Sequence, residues 1–278
     1  MHFNNEIISS RNNNFVKWTA SLNDKKFRNS EGYFIAEGVK LTCEAFDANL
    51  PVEYCIISES KKNEILEKIS HYFDDKKYEE CKIVIVTDNV FEKISTEKSP
   101  QGVISVIKHL DFLRKLDIIY KEEFFLNADE KAIFLCSIRD PSNLGAVIRS
   151  SVAFGTEHIV ISDDCADIYN PKTIRSAMGS LYRVKVTSVK DVKSFISVAQ
   201  ENGRRVYAAE LTENAVSLND VGLKSSDIVM IGNEGHGIAP EISERCDGSV
   251  YIPISKKTES LNASVAAAIF MWEQNKLI

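Results

Sequence analysis

DPSNLGAVIRSSVAFG, residues 140–155, decides how the second half of the chain folds. Asp140, Pro141, Ser142 and Asn143 are turn and helix-capping residues. Ala146, Val147, Ile148, Val152, Ala153 and Phe154 then supply an apolar helical surface, and Gly155 stands where the helix should stop. Just upstream, AIFLCSI (132–138) has the pattern of a buried strand. A buried strand, a capped turn and an apolar helix are the opening unit of a parallel α/β sheet. One residue fits this description poorly. Arg149 lies one turn past Gly145, and it belongs either to a solvated helix surface or to a site facing the loop that opens the helix.

Outward from this stretch the α/β pattern continues. HIVISDD (158–164), RVKVTSV (183–189), RRVYAAEL (204–211) and DIVMIGN (227–233) look like further strands. VKSFISVAQENG (192–203) and the terminal LNASVAAAIFMWEQNKL (261–277) look helical. The first third alternates in the same way, ending with the strand GVISVIK (102–108). The expected organisation is a smaller α/β domain over residues 1–107, a linker with partial helix over 108–130, and a second α/β domain over 131–278. A chain of 278 residues is long enough for two such cores.

Composition narrows the function classes. The apolar runs are too short to span a bilayer and the N-terminus lacks a signal-peptide core, so a cytoplasmic protein without a membrane partner is expected. Cys43, Cys55, Cys81, Cys136, Cys165 and Cys246 form no C-x-x-C pair, and the histidines are scattered. Reduced structural thiols and no metal are the expectation. The net charge of −6 argues against a uniformly basic surface but leaves room for a local one. Arg11, Lys17, Lys25, Lys26 and Arg28 face only Glu6 and Asp24 within residues 1–30, and a second basic cluster comprises Lys172, Arg175, Arg183 and Lys185. Each is either a solvated face or part of a nucleic-acid footprint.

Two further stretches are unusual. In VMIGNEGHGI (229–238) an apolar strand runs into a turn dense in residues that tolerate positive φ, as happens where backbone must approach a ligand. Its glycine order, G-x-x-G-x-G, is not the G-x-G-x-x-G of a dinucleotide fingerprint, and no P-loop sequence is present. In YIPISKKTESLNASVAAAIF (251–270), Pro253 ends a strand and Ser260-Leu261-Asn262 opens the last helix, where Ser260 or Asn262 suits an N-cap. The alanines from Ala263 to Ala268 make that helix thin enough for close packing against a neighbour.

Taken together, Asn143-x-Gly145-x-x-x-Arg149, the I-G-N-E-G of 231–235, and Ile252-Pro253-Ile254 followed by Ser260-Leu261-Asn262 resemble the SpoU/TrmH family of SPOUT RNA ribose methyltransferases. FRNSEGYFIAEGVKL and SPQGVISVI resemble, more loosely, the substrate-binding domain that precedes the catalytic domain in many members. The resemblance implies a C-terminal SPOUT domain with a deep trefoil knot, preceded by a smaller α/β RNA-binding domain. It also implies a homodimer built on the C-terminal domain and S-adenosylmethionine as cofactor. Ala209, Glu210, Leu211, Gly232, Asn233, Glu234, Gly237, Ile252, Ile254, Ser260, Leu261 and Asn262 are the implied cofactor contacts. Lys256-Lys257 departs from the glycine- or methionine-containing loop common in members.

The implied reaction is 2'-O-methylation of RNA, with ribosomal RNA the expected substrate. Transfer RNA and a catalytically inactive RNA-binding protein are the alternatives. The methyl donor is already activated, so the protein must align the reactants and help the ribose hydroxyl lose its proton. Arg149, Asn143, Glu234 and Asn262 are the implied catalytic residues. An arginine stays protonated in proteins, so Arg149 is better suited to binding a phosphate and stabilising alkoxide charge than to acting as a base. Asn143 shapes the loop or touches substrate, Glu234 fixes backbone or pairs with an arginine, and Asn262 orients the ribose or Arg149. Arg11, Lys25, Lys26, Arg28, Arg149, Lys172 and Arg175 are the expected RNA contacts.

Overall fold

The structure, a computed structural model, describes residues 2–3, 6–74, 78–110, 113–116, 124–127, 129–233 and 235–276. The chain divides into two compact units: Met1–Leu110 with Asp167–Tyr182, and Asp111–Ala166 with Arg183–Ile278. The contiguous division expected from sequence differs from this at 167–182.

The first unit is built on a five-stranded sheet. Its strands are β1 (His2–Phe3), β2 (Tyr33–Glu37), β3 (Val52–Ser58), β4 (Lys82–Val86) and β5 (Val103–Lys108), in the spatial order β1-β4-β3-β5-β2. β5 runs antiparallel to both β2 and β3, and the remaining pairs are parallel. Helices α1 (Asn14–Ser21), α2 (Lys25–Glu31), α3 (Val39–Asp47), α4 (Lys62–Ile69) and α5 (Asp88–Ile94) connect and cover the strands. The first two begin where a polar side chain satisfies an orphan amide. Asn13 accepts from Phe15 N at 2.8 Å, and Asp24 accepts from Lys26 N at 2.8 Å. Val16, Leu22, Ile35, Ile56, Val84 and Ile104 form one core cluster of this unit.

The second unit holds an eight-stranded sheet in which every neighbouring pair is parallel. Its strands are β6 (Leu113–Leu116), β7 (Ala132–Leu135), β8 (His158–Ser162), β9 (Lys185–Val189), β10 (Val206–Ala209), β11 (Val216–Ser217), β12 (Ile228–Ile231) and β13 (Gly248–Tyr251). They lie in the order β11-β13-β10-β12-β7-β8-β9-β6. The central strands β12, β7 and β8 are buried along their whole length, which is why they appear in sequence as continuous apolar runs rather than alternations. Helix α6 (Pro141–Ala153) follows β7, with Asp140 Oδ1 accepting from Ser142 N at 2.7 Å and Pro141 at its first position. The next helix, α7 (Pro171–Ala177), belongs to the first unit. Helices α8 (Val192–Glu201), α9 (Pro240–Ser243) and α10 (Ala263–Asn275) complete the second, and α10 packs along α6.

Within the expected linker, residues 113–116 form β6, paired in parallel with β9, while residues 111–112, 117–123 and 128 of that segment, and with them most of the room for the expected partial helix, lie outside the described residues. The pairing partner lies some seventy residues ahead in the chain, so local periodicity carries no sign of it. No helix among the described residues is long and apolar enough to cross a membrane.

Candidate functional site

Ligands of open parallel sheets sit at the carboxyl ends of the strands, where successive loops diverge. In the second unit this edge begins with a layer of polar contacts that join three strand ends. Ser137, just past β7, is held at φ 57°, and its N–H donates to Ser162 Oγ at 2.8 Å. Ser162 Oγ, at the end of β8, donates to Asp164 Oδ1 at 2.6 Å, and Asp164 also pairs with Arg139 at 3.4 Å. Burial pushes the Asp164 carboxyl up, but the hydrogen bonds from Ser162 and Ser137 and the Arg139 charge outweigh it, holding the group below its ordinary value. From β12, Asn233 Nδ2 donates to the Ser137 carbonyl at 2.8 Å. The loop that opens α6 therefore rises from a fixed base.

The glycine turn is held just as closely. Asn233 N donates to Gly237 O at 3.1 Å and Gly237 N to Asn233 O at 2.8 Å, while Gly235 N donates to Asn233 Oδ1 at 2.9 Å. Gly237 has φ 66°, a region that costs a side chain dearly. A Cβ on Gly232 would lie 2.5 Å from the Gly237 carbonyl carbon, so only glycine fits there. Asn233 is thus fully committed to shaping the turn. Glu234 lies outside the described residues.

The third stretch meets the first through one contact. Asn262 is the N-cap of α10, its Oδ1 accepting from Ser264 N at 2.9 Å. Its amide faces the other way, and Asn262 Nδ2 donates to Asn143 Oδ1, in the first turn of α6, at 3.0 Å. The N-cap role and the contact with a second motif are carried by the same side chain. Leu211, beyond β10, is 77% exposed, and Ile254, beyond β13, is 38% exposed. Such apolar groups at a strand-end rim favour an apolar or aromatic ligand surface over water. Nearby, a cleft of about 900 Å³ is lined by Glu210, Thr212 and Ile238 among others, and Ser249 Oγ fixes Glu210 Oε1 at 2.7 Å. Ala209 and Ile252 are half-buried, as is Leu261, while Ser260 is exposed.

Arg149 is the ninth residue of α6, two turns in from its N-terminus and not in the opening loop. Gly145 is buried and Arg149 exposed, so the two do not share an environment. Arg149 makes no hydrogen bond or ion pair among the described residues. It offers a planar, permanently charged donor set to an outside acceptor.

The expected RNA contacts separate into two groups. Lys25, Lys26 and Lys172 are exposed, as is Arg11. Arg28 is 1% exposed, and its inclusion among them is corrected. Its Nε and Nη2 donate to Asp167 Oδ2 at 3.1 and 2.6 Å, and its Nη1 donates to the Leu22 carbonyl at 2.8 Å. Burial of an arginine demands such saturation, and a residue so engaged cannot meet a phosphate. Arg175 is ion-paired with Glu97. Ser137, Ser162 and Asp164 were not anticipated. Their only sequence signal is position at the ends of apolar strands.

An open parallel sheet with tightly held glycine-rich loops and exposed apolar residues at its carboxyl edge, beside a helix carrying an exposed arginine, has the architecture of an α/β domain with room for a ligand at that edge. Residues 130–272 match the SpoU rRNA Methylase family model and residues 13–105 match the MRM3-like substrate binding domain, so the chain belongs to the SpoU rRNA methylase family. It is 28% identical over 267 residues to the 23S rRNA (guanosine(2553)-2'-O)-methyltransferase RlmP of Bacillus subtilis, covering 95% of this chain and 97% of the relative. It is 26% identical to the 23S rRNA (uridine(2479)-2'-O)-methyltransferase of Streptomyces viridochromogenes, covering 96% and 90%. The crystal structure of an AdoMet-bound rRNA methyltransferase from Sinorhizobium meliloti has the same fold, with a TM-score of 0.79 at 24% identity, over 98% of this chain and 97% of that one.

Proposed function

We propose that this protein is an S-adenosylmethionine-dependent methyltransferase of ribose 2'-hydroxyls in ribosomal RNA. The observation that carries the reading is the 3.0 Å contact between Asn262 and Asn143, which joins two motifs 119 residues apart. Family membership and the curated 23S rRNA 2'-O-methyltransferase relatives support it. So does the fit of the loops to the cofactor: the Gly232–Gly237 backbone permits close approach, and exposed Leu211 and Ile254 gain from being covered. Ala209, Glu210, Ile252, Ser260 and Leu261 complete the residues that would hold it. The cofactor, when bound, supplies a methyl group already activated on a sulfonium.

This chain's residues then have to position the ribose and manage its proton. Arg149 binds the phosphate beside the target nucleotide and stabilises negative charge on the 2'-oxygen as the proton leaves. Asn143 and Asn262, held against each other, orient the ribose from the opposite side. Lys25, Lys26 and Lys172 supply salt-sensitive affinity for the RNA backbone. The deep trefoil knot belongs to the same reading, as does a cytoplasmic setting. A homodimer is part of it too, because α6 and α10 flank an open groove of about 480 Å³ in which Val265 and Trp272 are 46% and 47% exposed. Covering it with a second copy buries well over about 1,000 Å² in total.

The test is to incubate the protein with S-adenosylmethionine and rRNA from a strain lacking the gene, then map ribose methylation by mass spectrometry. One nucleotide should gain a 2'-O-methyl group. No gain in ribosomal RNA, with a gain in transfer RNA or in none, sinks the assignment.

A further inference from the structure

Arg139 stands in the loop between β7 and α6, directly before the helix cap Asp140, and the reaction outlined above does not use it. Its guanidinium is unlike those that hold the fold together. Arg28, Arg204 and Arg205 each spend several N–H groups on carbonyls or carboxylates of the protein, Arg205 reaching Asp227 at 3.0 and 2.5 Å. Arg139 spends one. Its Nη2 lies 3.4 Å from Asp164 Oδ2, and no other hydrogen bond or ion pair engages it among the described residues. The two side chains are 72% and 41% exposed, so water screens a pair already long for a hydrogen bond.

The backbone beneath this loose contact is tightly held. Ser137 occupies the left-handed region at φ 57°, a conformation that costs a non-glycine residue and persists only where neighbours enforce it. Its N–H donates to Ser162 Oγ and its carbonyl accepts from Asn233 Nδ2, each at 2.8 Å. Ile138 O accepts from Ala166 N at 2.8 Å, which ties the Arg139 loop directly to the loop that carries Asp164. Asp164 is fixed in turn, with Ser162 Oγ donating to its Oδ1 at 2.6 Å and Asp163 N donating to Val189 O at 3.1 Å. Through Asn233, whose Oδ1 accepts from Gly235 N at 2.9 Å, the same frame continues into the glycine turn. Printed step by step, these contacts place Arg139 on the carboxyl edge of the sheet with most of its five N–H groups unspent.

We propose that Arg139 binds a backbone phosphate of the RNA substrate and gives up Asp164 as it does so. A phosphate offers the planar fork two oxygens at once, where the Asp164 contact uses a single donor. Asp164 keeps its negative charge when the phosphate arrives and opposes it, so the carboxylate costs affinity. The exposed pair is weak enough to be displaced all the same. Arg139 takes this role only if RNA is the substrate, and the contact adds a phosphate grip at the strand-end edge of the second unit.

The test measures binding of ribosomal RNA from a strain lacking the gene, by filter retention across a salt series. Arg139→Ala should weaken binding by roughly 10- to 150-fold. It should also flatten the log–log salt slope by roughly 0.7 to 0.9, the share of one phosphate contact. Arg139→Lys keeps the charge and should keep the slope, while losing part of the affinity with the planar fork. Asp164→Asn leaves an acceptor for Ser162 but removes the opposing charge, and should tighten binding by roughly 1.5- to 5-fold. In an Arg139→Ala background the same change should tighten binding less than it does alone. Calorimetric affinity of Arg139→Ala for S-adenosylmethionine should match that of the parent. A loss there assigns the guanidinium to the cofactor's carboxylate and overturns the proposal. So does an unchanged RNA affinity or slope in Arg139→Ala, or weaker RNA binding by Asp164→Asn. Methyl transfer to rRNA with no effect of Arg139→Ala on binding refutes the phosphate contact alone. Arg139-dependent, salt-sensitive binding without methyl transfer refutes the methyltransferase reading alone.

Discussion

The two ends of the second unit's sheet use charge in opposite ways. At the amino ends of the strands, polar groups are buried and answered. Glu130 accepts from Lys185 Nζ at 2.7 Å and lies 3.3 Å from His158 Nδ1, whose Nε2 is 2.8 Å from Thr187 Oγ1. Arg204, 3% exposed, donates to the carbonyls of Asn127, Glu130 and Ser226. At the carboxyl ends the backbone is fixed just as firmly, yet Leu211 and Ile254 are left facing water, as is Arg149 two turns along the helix that starts from this edge. Rigidity is common to both ends, so it does not mark the site. Unused binding capacity on a rigid frame does.

Substitutions should therefore separate stability from activity according to which end they touch. The largest effect is expected for Arg204→Met, which strands buried carbonyls and should lower unfolding free energy by roughly 3–5 kcal/mol in urea titrations, with methyl transfer per folded molecule retained. An activity loss larger than the folded fraction explains would break the contrast. Arg149→Ala should do the reverse. Single-turnover transfer should fall by about a hundredfold or more, on the order of 3 kcal/mol, with cofactor affinity and melting temperature unchanged. Arg149→Lys keeps the charge but loses the planar fork, and should recover only a small part.

Asn262 stands on both sides of the contrast. Asn262→Ala removes the α10 cap and should cost about 1 kcal/mol of stability together with activity. Asn262→Ser restores a capping oxygen but not the amide that reaches Asn143, so stability should return while transfer stays low. Full recovery of both would reduce Asn262 to a cap.

The smallest effect concerns pH. Burial pushes the Glu130 carboxyl up, yet the hydrogen bond from Lys185 and those from Asn127 N and the neighbouring charges hold it below its ordinary value. A depressed folded pKa gives stability that is present above the unfolded value, about 4.3, and is lost as pH falls through the folded one. Lys185→Met should raise that folded value, so acid unfolding followed by circular dichroism should begin at higher pH. An unchanged acid midpoint would remove Lys185 from the network.

Much of this was legible in the sequence because it is local. The capped turn before α6, the glycine turn and the apolar central strands each declare themselves within a few residues. What stayed hidden depends on partners far along the chain. Arg28 looks like any surface arginine in Lys-Lys-Phe-Arg until Asp167, 139 residues away, is placed against it. β6 has no local signature because its partner β9 supplies the hydrogen bonds. The contact between Asn143 and Asn262 spans 119 residues, and only the resemblance to a family put the two in one site before the fold did.

The return of Asp167–Tyr182 to the first unit bears on how such proteins can be rearranged. The chain leaves that unit after residue 110, comes back for sixteen residues, and leaves again. Cutting at a single boundary near residue 107 would take α7 and Asp167 away and leave the Arg28 guanidinium buried without its counter-ion. Gene fusion or domain shuffling at that point would be penalised at the level of folding, before any RNA was met. The unit that matches a substrate binding domain is encoded together with a segment from within the stretch that matches the methylase family, so new specificities should arise by drift of its surface rather than by exchange of the whole module.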